Sequence, residues 1–257
     1  MKGCLALPAL FQPGHYCKVS EMTDKTFAPE AGHNGSHLDT IRMPSMQDPS
    51  ILVQTGALAA RPKIGSVCVY CGSGPGLDPA YMAAARTLGH DLGSNGVRLV
   101  YGGGSLGLMG EVARSTLAAG GQVTGIIPNF LSTKEQMLRS VDELIVTENM
   151  HERKMLMFER SDAFVALPGG IGTLEELVEQ LTWAQLGRHE KPIIVANIQG
   201  FWTPFLHLLA HMKGDAFIRA GLDIRFVVVN TADQILPAIQ AAAKGVSAVD
   251  ASLVAKF

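Results

Sequence analysis

The chain has 257 residues, 47% of them hydrophobic, with 28 glycines and a formal net charge of −2 at pH 7. That length suits one α/β domain, alone or with an appendage, and the charge balance lacks the basic excess of a nucleic-acid binder. No apolar run reaches membrane-spanning length, the opening residues around Pro8 are too short and broken for a signal peptide, and four cysteines are too few for a disulfide framework. The expectation is a cytoplasmic protein with no nucleic-acid and no membrane partner.

Residues 1 to about 60 mix Pro, Gly, His, Ser and Asp with scattered methionines and keep neither a helical nor a strand period. They read as a disordered or loosely attached extension, in which Met22, Met43 and Met46 are alternative starts. His15, His33 and His37 are too irregularly spaced for a metal motif. Order begins near Arg61, and residues 61–257 read as a single domain.

Ile64 to Tyr70 is an apolar strand, followed by the glycine turn Cys71-Gly-Ser-Gly-Pro-Gly76. Asp78-Pro79 then offers an N-cap with proline at the first helical position, and the helix runs through Ala80–Leu92 to a stop at Asn95-Gly96. Val97 to Tyr101 is the second strand, and Gly102 to Gly110 opens a helix over about Leu108–Ala119. Gln122 to Ile127 is the third strand. After an irregular patch from Asn129 to Ser140 come a strand at Leu144–Thr147 and a helix from Glu148 to Arg160. Ala163–Leu167, Lys191–Asn197 and Phe226–Asn230 are three more strands, with helices after Thr173, over Phe201–Met212, and from Thr231 to about Ala243. Seven Val- and Ile-rich strands alternating with helices predict a doubly wound, mostly parallel, Rossmann-like sheet covered on both faces.

Cys68-Val-Tyr-Cys71 has the redox spacing C-x-x-C, but it ends a strand, where residues three apart face opposite sides. A redox pair belongs at a helix start. No Cys/His cluster has metal-ligand spacing, and the reading includes no metal and no cofactor. Gly102-x-Gly104-x-x-Gly107 satisfies the dinucleotide fingerprint, yet the following strand ends at Ile127 without the carboxylate that would hold ribose hydroxyls. None of the glycine loops carries the lysine of a nucleotide-triphosphate loop.

What remains is three glycine turns after three strands, Gly72–Gly76, Gly102–Gly107 and Gly169–Gly172, all at the carboxyl edge where such sheets bind ligands. Pro168-Gly-Gly-Ile-Gly-Thr-Leu-Glu-Glu176 is the richest of them. Its glycines let the backbone approach a ligand, and the free amides of the helix start favour a phosphate. A tight βα connection with no ligand is the alternative for any one turn. Glu175 and Glu176 follow. The Thr173–Glu176 spacing fits a capping box, but a carboxylate beside a phosphate also suits chemistry at the adjoining sugar carbon or water. Upstream, Met150-His-Glu-Arg-Lys154 puts Arg153 on a partly apolar helix face, where it either reaches out to water or pairs with an anion. His151 reads as structural or superficial.

These residues fit P-G-G-x-G-T-x-x-E, with Met150-His-Glu-Arg-Lys154 ahead of it. The chain from about Ile64 to Ala210 resembles the LOG (Lonely Guy) family, cytokinin riboside 5′-monophosphate phosphoribohydrolases long mislabelled as lysine decarboxylases. Cys71-Gly-Ser73, Tyr101 to Gly110, Thr182 to Gly187 and Lys191-Pro192 extend the match. The resemblance implies hydrolysis of the N-glycosidic bond of an adenosine-type nucleotide, with Arg153 and Glu176 catalytic. It implies that Gly169, Gly170, Gly172 and Thr173 hold the phosphate, and that Lys154 and Glu135 contact substrate. Ser73, Gly103 and Gly104, in the other two turns, join the binding set. It further implies a homodimer or larger homo-oligomer with the pocket near the subunit contact. Two alternatives stay open: a general purine nucleotide nucleosidase, and a non-catalytic nucleotide or cofactor carrier of the same fold.

Overall fold

The computed structural model describes residues 64–132, 137–218 and 224–244, all within the unit Gly56–Phe257. The proposed extension, and Glu135, lie outside the described residues. The elements run β1 (Ser66–Tyr70), α1 (Pro79–Ser94), β2 (Arg98–Tyr101), α2 (Gly107–Ala118), β3 (Val123–Pro128), α3 (Asn129–Ser132) and β4 (Glu143–Thr147). They continue with α4 (Met150–Glu159), β5 (Ala163–Ala166), α5 (Ile171–Gln185), β6 (Ile193–Ala196), α6 (Thr203–Gly214), β7 (Val227–Val229) and α7 (Ile235–Ala243). Single 3₁₀ turns precede α6 and α7.

All seven strands pair in parallel, in the order β4-β3-β2-β1-β5-β6-β7. The chain builds outward from β1 to β4, then returns to the other side of β1 with β5. The order therefore reverses between β1 and β5, and the crevice above their carboxyl ends is the place where a doubly wound sheet receives ligands.

The period-two geometry of β1 divides the core. Val67, Val69 and Cys71 join a cluster with Leu88 and Leu92 of α1 and Val112 of α2. Cys68 and Tyr70 join the opposite cluster, with Met157 of α4, Leu177 and Leu181 of α5, and Trp202. The two cysteines are thus free, buried and on opposite faces, and burial pushes both thiols far above their usual range. They are packing residues, as a strand placement of C-x-x-C implies.

Helix ends follow local chemistry. The Asp78 carboxylate accepts a hydrogen bond from Ala80 N at 2.8 Å, and α1 stops at Asn95, before Gly96 with its positive φ of 65°. α4 begins at Met150 because Asn149 caps it, accepting from Glu152 N at 2.9 Å, while the Glu152 carboxylate accepts from Glu148 N at 2.8 Å. α5 starts at Ile171, two residues ahead of the expected Thr173, with Gly170 as N-cap and no side-chain cap. Thr173 lies inside the first turn, so the capping box considered for Thr173 and Glu176 is not formed. The reciprocal cap that does form belongs to α4.

Candidate active site

The three glycine turns are stitched into one surface. Gly72 N donates to Pro168 O at 3.0 Å, Met109 N to Gly72 O at 3.3 Å, and Leu108 N to Gly74 O at 3.4 Å. Two first-turn amides of α2, those of Leu108 and Met109, are therefore spent on the turn after β1. The start of α5 is different. It has no side-chain cap, and Gly170, Ile171 and Gly172 are exposed. First-turn amides have no acceptor within their own helix, and the helix dipole adds positive potential there. The open start of α5, at the reversal point of the sheet, has the chemistry that suits an anion.

Close approach sets the composition of this turn. A side chain at Gly169 would run into the Thr173 hydroxyl and come within 2.8 Å of Gly72 N. Thr173 itself is buried, under the loop. Ser73 is exposed in the turn after β1, and Gly107 packs so tightly against its backbone that a side chain there would overlap Ser73. Gly103 and Gly104 are buried. Gly103 O accepts from Leu138 N at 3.1 Å, and Gly104 bridges Met137, so this turn anchors the chain that follows the undescribed residues 133–136.

Arg153 and Glu176 are both 8% exposed, with Nη2 and Oε1 3.1 Å apart. The arginine is held at its other nitrogens as well: Nε donates to Ile126 O at 3.2 Å, and Nη1 lies 3.9 Å from Met150 Sδ. Of the two choices open for Arg153, pairing with an anion is the one found. Burial drives Glu176 up to about 7, with Arg153 and Lys154 opposing the rise and Glu175 and Glu179 adding to it. Desolvation outweighs the ion pair here, so this carboxyl gains or loses its proton near neutrality. A carboxyl so placed is suited to acid–base work.

Lys154 points to the neighbouring carboxylates. Its Nζ lies 2.6 Å from Glu175 Oε1 and 2.7 Å from Glu179 Oε2, tying α4 to α5 beside the Arg153–Glu176 pair. Burial works against its charge, and the two carboxylates more than offset that. His151 is exposed.

Sequence reasoning missed three participants. Glu179 sits one turn after Glu175 on the same face, a spacing that could have revealed the shared lysine. Asn149-x-x-Glu152 carries the same kind of capping spacing as Thr173-x-x-Glu176, and it is the one that forms. The Ile126 carbonyl left no sequence signal, since any residue in β3 supplies one. Among the described residues no group of His, Cys, Asp and Glu is placed to hold a metal ion.

Together these features define a doubly wound α/β protein in which the helix with an uncapped start also carries one half of a buried arginine–carboxylate pair. Residues 109–239 match the family described as "Possible lysine decarboxylase". A rice (Oryza sativa subsp. japonica) protein named "Probable cytokinin riboside 5'-monophosphate phosphoribohydrolase LOGL1" is 46% identical over 180 residues, covering 69% of this chain and 80% of its own. Rice "Cytokinin riboside 5'-monophosphate phosphoribohydrolase LOG" is 45% identical over 170 residues, covering 66% and 69%. The chain belongs to this LOG family. Among solved structures, a molybdenum cofactor binding protein from Rippkaea orientalis superposes with a TM-score of 0.53 at 22% identity, covering 70% of this chain and 97% of that one. At that identity the likeness is one of fold.

Proposed function

We infer that this chain hydrolyses the N-glycosidic bond of cytokinin riboside 5′-monophosphates, releasing the N6-modified adenine base and ribose 5-phosphate. The observation that carries the reading is the buried Arg153–Glu176 pair, with its near-neutral carboxyl, next to the open start of α5. Relatives at 46% and 45% identity bear the name of that activity.

In this reading the 5′-phosphate sits on the α5 start, cradled by Gly169, Gly170, Gly172 and Thr173 and flanked by Ser73, Gly103 and Gly104. Holding the phosphate brings the sugar carbon against Glu176. As the C1′–N9 bond breaks, its electron pair goes to the purine nitrogen and positive charge develops on the ribose. A water oxygen bonds to C1′ and gives its proton to Glu176, which a carboxyl titrating near neutrality is suited to accept. Arg153 fixes the direction of that carboxylate. Lys154, which also bridges Glu175 and Glu179, and Glu135 contact the substrate in this reading. The active form is a homo-oligomer at least dimeric, working in the cytoplasm without a metal or cofactor. No described helix is long and apolar enough to cross a membrane.

The test is a product assay with AMP and N6-isopentenyl-AMP in parallel, following free base and ribose 5-phosphate by chromatography. Preference for the isopentenyl nucleotide is the expected result. Equal rates would make the protein a general nucleotide nucleosidase, and tight binding without release of base from either would make it a carrier.

A further inference from the structure

We propose that Gly102 is a positioning residue, its missing side chain being the space that keeps the Arg153 guanidinium against Glu176. The inference rests on the reading of Arg153 and Glu176 as the reacting pair. Gly102 follows the last residue of β2, inside the fingerprint-like run Gly102-x-Gly104-x-x-Gly107. A Cβ built on it would lie 2.6 Å from Arg153 Nη2 and 3.0 Å from Met109 Sδ. The nitrogen that would be struck is the one that reaches Glu176 Oε1, the other two being committed to Ile126 O and Met150 Sδ.

Backbone conformation does not account for glycine at this position. Gly103 and Gly107 have positive φ, 80° and 56°, and need glycine for that reason, whereas Gly102 is not among the positive-φ residues. Alanine there is compatible with the main chain, and both atoms it would meet are ends of flexible side chains. The fold can absorb the methyl by moving Arg153 aside. The active pair cannot, because a shift of about 1 Å at such a group costs on the order of 100-fold in rate.

Gly102→Ala, measured in the full chain, should therefore melt within a few degrees of wild type while kcat/KM on the preferred nucleotide falls by about 100-fold. Its pH profile should also move. Arg153 and Lys154 from α4 favour the ionised form of Glu176, while Glu175 and Glu179 on its own helix oppose it. Tyr70, Cys68 and Cys71 at the end of β1 also feel its charge. Withdrawing the guanidinium removes the largest influence favouring ionisation, so the inflection near neutrality should shift to higher pH. A purely structural defect would reduce the rate without moving that inflection.

Arg153→Ala and the double variant complete the cycle. With no guanidinium to displace, Gly102→Ala should add nothing to the loss seen in Arg153→Ala. Wild-type rate in Gly102→Ala together with an inactive Arg153→Ala would overturn the role of Gly102 alone. Wild-type rate in Arg153→Ala would overturn the reacting pair itself. Failure of Gly102→Ala to fold would place the clash on the backbone and equally overturn the proposal.

Discussion

Glu176 is the residue where burial, charge and position meet. Its carboxylate is coupled to Arg153 at 3.1 Å and yet titrates near 7, because desolvation exceeds the attraction. The direction of the pH effect follows. Below pH 7 the carboxyl is increasingly protonated and cannot accept a proton from water, so kcat/KM should rise through an inflection near 7 and level off above it. An acid-side plateau with falling activity above pH 7 would instead assign Glu176 the role of proton donor. Glu176→Gln keeps the shape and removes the base, and should lower kcat by at least about 100-fold while nucleotide binding, read by calorimetry, persists. Near-wild-type turnover in that variant would return Glu176 to a structural role.

At the level of elements, α4 and α5 must stay in register for the pair to exist. Lys154 does part of this, bridging Glu175 and Glu179 with its side chain only 12% exposed. Lys154→Met should lower stability by about 1–3 kcal/mol, seen as a shift of the denaturant midpoint, because the largely buried Glu179 and, to a lesser degree, the exposed Glu175 lose their counter-charge. An unchanged midpoint would make the bridge a surface ornament. The helix starts also show what could be read beforehand. Asp78-Pro79 and Asn95-Gly96 act within a turn of themselves, so residue type suffices to place them. The start of α5 lies two residues ahead of the expected Thr173, since Gly170 caps by conformation alone and leaves no oxygen-bearing side chain as a marker. Arg153 presents two options in the sequence, and only the fold brings Glu176, Ile126 O and Met150 Sδ to its three nitrogens, with the gap at Gly102 beside the one that reaches Glu176.

For the whole molecule, the seven strands and their alternation with helices were legible because covered strands are runs of Val, Ile and Ala bounded by Gly and Pro, and such runs survive without knowledge of neighbours. Strand order was not. Nothing in Ala163–Leu167 says that it pairs with β1 and not with β4, and that choice is what creates the crevice. The extension before residue 60 is assigned no part in the site, so a chain beginning near residue 61 should keep its melting temperature and turnover. An unfolded or inactive product would show that the preceding residues complete the domain.

The return of β5 to the far side of β1 has a consequence for synthesis on the ribosome. Strands β1 to β4 can assemble with near neighbours as they emerge, but among the described strands none pairs with the second edge of β1 until Ala163 arrives opposite Val67. Asp162 arrives with it, and its carboxylate accepts from Gly65 N, Ser66 N and Ser66 Oγ, latching the base of β1. Until then the nascent chain carries an open apolar strand edge of the kind that pairs with other chains. The interval over which the growing chain needs shielding ends with the strand that leads into the glycine turn before α5.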